Sequence, residues 1–167
     1  RSVKFDNIET LPQPQHFDLF KLVQDLVEFV SPFKLNDQIQ INNEVPLDTE
    51  ILSWPDTLRV LLYNMLINAI KSTKSGYISI NYQKLNDHFS ISITDTGEGM
   101  SVSMANYLMT GHSKDEVDLL PKYKKGNGIG YQIIRHLVKL MQVEMHIKSK
   151  EAVGTVVTLK FYTNTIK

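Results

Sequence analysis

The stretch from residue 77 to residue 94 constrains the fold of this chain more than any other. Tyr77 to Leu85 and Phe89 to Thr94 are two runs rich in apolar and β-branched residues, with Asn86-Asp87 between them as the turn. They predict antiparallel neighbours in a sheet. Gln38 to Asn42 alternates polar and apolar like a half-buried strand, Ile51-Leu52 supports a short one, and Glu144 to Lys148 and Thr155 to Phe161 read as closing strands joined at Gly154. Helical periods lie between these strands. Phe17, Phe20, Val23, Val27 and Val30, with Leu19, Leu22 and Leu26 beside them, predict a helix over 17–33 that Pro32 helps to close. A second helix runs from Pro55 to Ser72, with Ser53 and Asp56 at capping-box spacing. A third follows Gly126-Asn127-Gly128, carried by Ile129, Ile133, Ile134, Leu137, Val138 and Met141. This mixture of hairpin-linked strands and helices predicts an α/β (α+β) two-layer sandwich, one sheet covered on one face by helices.

Length limits this to one domain, expected over 17–167 behind a linker or extended arm over 1–16 that contains Pro12 and Pro14. Eighteen basic and eighteen acidic residues cancel, so no global field attracts nucleic acid, and any anion must be bound locally. No apolar run reaches the length of a membrane span, so no direct membrane insertion is expected. The absence of cysteine fits a reducing compartment, and a cytoplasmic domain is the expectation. The opening Arg1-Ser2-Val3 has no signal-sequence pattern, and the chain is expected to be a piece of something longer.

Three segments carry chemistry. On the second helix Asn64, Asn68 and Lys71 recur at spacings of four and three, so they share one face beside the apolar stripe of Leu58, Leu61, Leu62, Met65 and Ala69. An amide oxygen can complete the octahedral shell of Mg²⁺ and a lysine can meet phosphate charge; the alternative is that these side chains cap loops or face water. Asp95-Thr96-Gly97-Glu98-Gly99 follows an apolar strand, where a carboxylate can accept from an exocyclic amine and glycines let the backbone approach a flat ligand. Gly126-Asn127-Gly128-Ile129-Gly130 opens a helix whose amides can hold phosphate oxygens. From Asp95 to Lys125 there is little period, which reads as a lid or binding loop with a short helix around 102–108. Within it Lys122, Lys124 and Lys125 either sense a terminal phosphate or form a solvated lysine run.

Taken in order, these segments resemble the N box (Asn64 to Lys71), G1 box (Asp95 to Gly99) and G2 box (Gly126 to Gly130) of the GHKL ATPase and kinase superfamily, over roughly residues 17–162. The resemblance implies the Bergerat fold, a mixed, mostly antiparallel sheet backed by about three helices. It implies ATP and Mg²⁺ as ligands, with Asn68 ligating the metal, Lys71 contacting phosphate and Asp95 binding the adenine amine. Gly97, Gly99, Gly126, Gly128 and Gly130 would shape the walls, and Thr155 would help to hold the aspartate. ATP-hydrolysing members usually carry glutamate at position 64; an asparagine there cannot usefully take a proton, and the paired-asparagine form is similar to the histidine-kinase branch. That branch implies a histidine-containing dimerisation domain as phosphoacceptor, a response regulator downstream, and a parent protein anchored in the membrane.

Two positions depart from the pattern: Ala105 to Thr110 contains no phenylalanine where an F box is common, and Tyr131 stands where leucine usually follows the G2 box. His16 is read as a solvated linker histidine rather than a phosphoacceptor, and the five histidines show no metal-binding spacing. The rival readings are a serine kinase of the anti-sigma-factor type and a degenerate ATP-binding scaffold.

Overall fold

A computed structural model describes residues 10–111 and 128–163, with the side chains of 128 and 129 excepted. Asp18 closes strand β1 (Gln15–Asp18) and caps helix α1 (Leu19–Val30), its carboxylate accepting from the Lys21 amide at 3.1 Å. The helix therefore starts two residues later than the apolar pattern predicts. Phe17 belongs to β1, and the buried face of α1 is Leu19, Leu22, Val23, Leu26, Val27 and Val30. A 3₁₀ turn at Ser31–Phe33 follows, with Pro32 at its start. The arm expected over 1–16 joins the fold before its predicted end: Gln15 and His16 pair with Ser53 and Leu52 of β3 (Glu50–Ser53), and the Trp54 indole N–H donates to the Pro12 carbonyl at 2.7 Å.

Helix α2 (Pro55–Ser72) begins where predicted but not as predicted. Trp54 is its cap residue but its side chain makes no capping hydrogen bond, and Ser53 stays in β3 with its hydroxyl buried and unpartnered among the described residues, so no capping box forms. Pro55 opens the helix instead, because its missing N–H is one that a first turn leaves unbonded. Leu58, Leu61, Leu62, Met65, Leu66 and Ile70 are buried, and each contributes about 1.5–3 kcal/mol. The two asparagines cost ~0.7 kcal/mol or less apiece in helix propensity. Packing holds this helix, which leaves positions 64 and 68 available for chemistry.

The main sheet runs β2 (Ile39–Asn43), β4 (Gly76–Lys84), β5 (His88–Asp95), β7 (Gly154–Tyr162), β6 (Glu144–Lys150); β2 and β4 are parallel and the other pairs antiparallel. This is the mixed, mostly antiparallel sheet that was expected. The hairpin at Asn86-Asp87 closes with the Leu85 amide donating to the His88 carbonyl at 2.8 Å. Alternation sends Ile78, Ile80, Ile91, Ile93, Val157 and Leu159 into one core with α1 and α2. Helix α3 (Val102–Thr110) lies against β6, capped by the Ser101 hydroxyl and ended by Gly111 at φ 73°. Helix α4 (Gly128–Leu140) packs beside α2. Four α-helices are thus present among the described residues, three in the layer beside the sheet and α3 at its β6 edge. Lys122, Lys124, Lys125 and Gly126 lie outside the described residues.

Candidate functional site

Asp95 is the last residue of β5 and pairs with Thr155 of β7, which turns its side chain to the helical side of the sheet. Asp95 is 8% exposed, and one of its carboxylate oxygens accepts from the Gly97 amide at 2.9 Å. Burial raises its pKa, and hydrogen bonds from the Gly97 and Thr155 backbone pull it part of the way back. A carboxylate offers about four lone-pair positions, so acceptor capacity remains for a ligand.

The loop after Asp95 is tied on both sides. The Glu98 amide donates to the Ser72 carbonyl at the end of α2 (3.0 Å), and the Glu98 carbonyl accepts from Ala152 in the β6–β7 turn (2.8 Å). Gly99 sits at φ 65°, where a Cβ would stand 2.0 Å from the Lys150 carbonyl oxygen, so glycine is required both by conformation and by space. The Met100 amide donates to the Ser149 hydroxyl at 2.8 Å, and that hydroxyl also meets the Thr155 hydroxyl at 2.7 Å. Thr155 therefore holds Asp95 through its backbone and the loop through its side chain.

The α2 residues divide. Asn68 lines the cavity, and its amide nitrogen is buried without a partner among the described residues. The orphaned donor costs about 1–3 kcal/mol unless something binds it. Gly130, in the first turn of α4, presses on the same amide: a Cβ there would stand 2.9 Å from Asn68 Oδ1. Lys71 is exposed at the cavity wall. Asn64 does not line the cavity; its amide nitrogen donates to the Val60 carbonyl of its own helix at 2.8 Å.

Asn68, Lys71, Asp95, Gly99 and Thr155 thus meet around one cavity of about 670 Å³, a size suited to a nucleotide-sized ligand. Gly97 and Gly130 brace it from behind, through Asp95 and Asn68, and Gly128 opens α4. Met65, Met100, Met104 and Leu108 supply apolar wall, so a leucine of α3 stands in the segment that lacks phenylalanine, with Met104 just before it. The Arg135 guanidinium of α4 donates to the Leu108 carbonyl at 3.0 Å, joining the two helices that flank the cavity. Tyr131, which lines the cavity, and Ser149, which tethers the loop beside it, are residues to which sequence motifs assigned no role. Tyr131 could be found from its place directly after Gly130; Ser149 could not, because only the register of β6 on β7 sets it opposite Thr155.

The family model described as "Histidine kinase-, DNA gyrase B-, and HSP90-like ATPase" matches residues 55–165, from the first residue of α2 through β7. The chain belongs to this family. Among curated relatives, the autoinducer 2 sensor kinase/phosphatase LuxQ of Vibrio parahaemolyticus is 26% identical over 157 residues, covering 88% of this chain and 18% of LuxQ. Sensor histidine kinase ZraS of Escherichia coli is 26% identical over 150 residues, covering 87% of this chain and 30% of ZraS. The chain therefore spans less than a third of the length of either relative. Among solved structures, the nucleotide-free catalytic domain of histidine kinase ThkA superposes with a TM-score of 0.72 at 16% identity, covering 90% of this chain and 96% of that one. The fold is that of histidine kinase catalytic domains. No helix among the described residues is long and apolar enough to cross a membrane.

Proposed function

We propose that this chain is the catalytic ATP-binding domain of a sensor histidine kinase, holding Mg·ATP and presenting its γ-phosphate to a histidine on a separate dimerisation domain. One observation carries the reading: a buried carboxylate with spare acceptor capacity, on Asp95, and a buried amide without a partner among the described residues, on Asn68, line the same cavity, and both residues belong to the family motifs. Asp95 accepts from the adenine amine, a preference mismatched to guanine O6. Lys71 meets phosphate charge from the rim, and the α4 N-terminus behind Gly128 and Gly130 faces phosphate with its amides.

The residues present fit a magnesium ion held mainly by its substrate. Among the described residues no group of three or more His, Cys, Asp or Glu could form a cage, and Mg²⁺ commonly takes one or two protein ligands beside phosphate oxygens and water. Asn68 would supply the protein ligand by turning its amide oxygen to the cavity. The ion would neutralise phosphate charge as the terminal phosphoryl group transfers. Asn64 has no acid–base role in this scheme: an amide bonded to its own helix does not activate water, so transfer to a supplied nucleophile is favoured over hydrolysis. An imidazole nitrogen of the acceptor forms the new bond to phosphorus, the bond to the β–γ bridging oxygen breaks, ADP leaves, and the imidazole proton passes to solvent. A response regulator then draws the phosphoryl group from that histidine. The parent protein is proposed to be anchored in the membrane, with this domain in the cytoplasm.

The test combines calorimetry with labelling. ATP should bind in a Mg²⁺-dependent manner and more tightly than GTP, and Asn68→Ala should lose the Mg²⁺ dependence while keeping its fold. Supplied with a histidine-bearing helical dimerisation domain and γ-labelled ATP, the chain should produce acid-labile phosphohistidine. Acid-stable phosphoserine on a partner would instead support an anti-sigma-factor-type kinase, and ATP binding without transfer to any acceptor would support a scaffold. Absence of adenine-nucleotide binding would remove all three.

A further inference from the structure

We infer that Tyr131 is a nucleobase-reading residue of this chain, its phenol donating a hydrogen bond to a ring nitrogen of the purine whose amine Asp95 accepts. The inference rests on the Mg·ATP reading above and adds a second polar contact to it.

Three observations converge on Tyr131. Its place in the chain puts it directly after Gly130, and Gly130 lies so close to the Asn68 amide that the first turn of α4 is held against the C-terminal part of α2. From there the side chain lines the same cavity as Asp95, Thr155, Ile93 and Met65 rather than the outer surface of α4. The residue is 6% exposed, yet its hydroxyl is not among the occluded polar atoms and bonds no described residue. A buried ring whose polar tip stays open on a cavity has the form of a ligand contact, since a buried tyrosine hydroxyl ordinarily finds a partner.

The electrostatics decide which way the hydrogen bond runs. Burial and the nearby Asp95 charge both hold the phenol far above its ordinary pKa, so it remains an O–H donor at any working pH. Asp95 is the acceptor beside it. An acceptor next to a donor complements the edge of a base that offers an amine next to a ring nitrogen, which is adenine read at N6 with either N1 or N7. Guanine places a carbonyl where adenine has its amine, and would leave Asp95 facing an oxygen. Leucine at this position would supply apolar wall alone, so the tyrosine adds selectivity to what a family-typical residue provides.

The experiment is a binding cycle measured by calorimetry with ATP, 7-deaza-ATP and 1-deaza-ATP, on the unmodified chain and on Tyr131→Phe. The phenylalanine keeps the ring and removes only the donor. The unmodified chain should bind one of the two deaza analogues more weakly than ATP, by roughly 2- to 12-fold, the range of one neutral hydrogen bond. Tyr131→Phe should lose the same factor for ATP and should bind that analogue and ATP equally. Tyr131→Leu should show the same pattern with a further uniform loss. If Tyr131→Phe binds ATP like the unmodified chain, or weakens ATP and both analogues alike, the phenol reads no ring nitrogen and the inference is wrong. If the unmodified chain binds no adenine nucleotide at all, the underlying Mg·ATP reading is what fails.

Discussion

Replacing Gly130 by alanine should separate folding from ligand binding, because the two effects act on different atoms. Gly130 lies within the first turn of α4, where alanine gains up to ~1 kcal/mol over glycine in helix propensity. The added methyl group would stand 2.9 Å from Asn68 Oδ1 and 3.3 Å from Asn68 Nδ2. Those atoms are the far end of a rotatable side chain, so the amide retreats by several tenths of an ångström and the backbone stays. For a chain of this size about 1 kcal/mol moves the unfolding midpoint by roughly 2–4 °C. The variant should therefore melt at the same temperature or up to ~4 °C higher. Binding should move the other way. Magnesium tolerates little departure from near-ideal octahedral geometry, and a displaced Asn68 amide should weaken Mg·ATP by about 10-fold or more, ~1.4 kcal/mol. Thermal denaturation without nucleotide and calorimetry with Mg·ATP read the two effects. A fall in melting temperature of several degrees would show that the backbone yields instead of the side chain. Unchanged affinity would show that the Asn68 amide touches neither metal nor phosphate.

Two further variants test the other walls. Asp95 has a raised pKa in the fold, so its contribution to stability is complete below the ordinary aspartate value of 3.8 and is lost as pH rises through the raised folded value. Asp95→Asn retains an acceptor for the Gly97 amide and removes the buried charge; at pH 7 it should melt at or above the unmodified chain, the gap closing as pH falls toward 4, while ATP affinity drops about 10-fold or more. A gap that widens in acid would contradict the assigned shift. Ser149→Ala leaves the Met100 amide and the Thr155 hydroxyl without their shared partner, and urea denaturation should show a loss of about 1–2 kcal/mol; no loss would mean that the loop after Asp95 does not depend on this tether.

The sequence by itself determined the elements and the chemistry that lies along them. Period-two alternation over 77–94 and 155–161, and the apolar stripe of α2, are local properties of side-chain spacing, so the strands and that helix fall where spacing puts them. The three motifs could be read for the same reason, since Asn68 with Lys71, Asp95 with its glycines, and the glycines at 126, 128 and 130 each lie within a few residues of one another. Element ends were less legible. Asp18 competes with the apolar run for the start of α1 and wins by capping it, whereas Ser53 matches a capping spacing but is kept in β3 by pairing with Gln15.

What joins separate segments was decided by tertiary structure. Only the β5–β7 register sets Asp95 beside Thr155, only the β6–β7 register brings Ser149 to both Thr155 and the loop, and only the packing of α4 on α2 presses Gly130 against Asn68 and swings Tyr131 into the cavity. The same packing leaves Asn64 outside the cavity, although it shares a helix face with Asn68 and sits one turn away. Spacing along a helix sets direction but not what lies opposite, and the partner across a strand pair depends on a register that no single strand encodes.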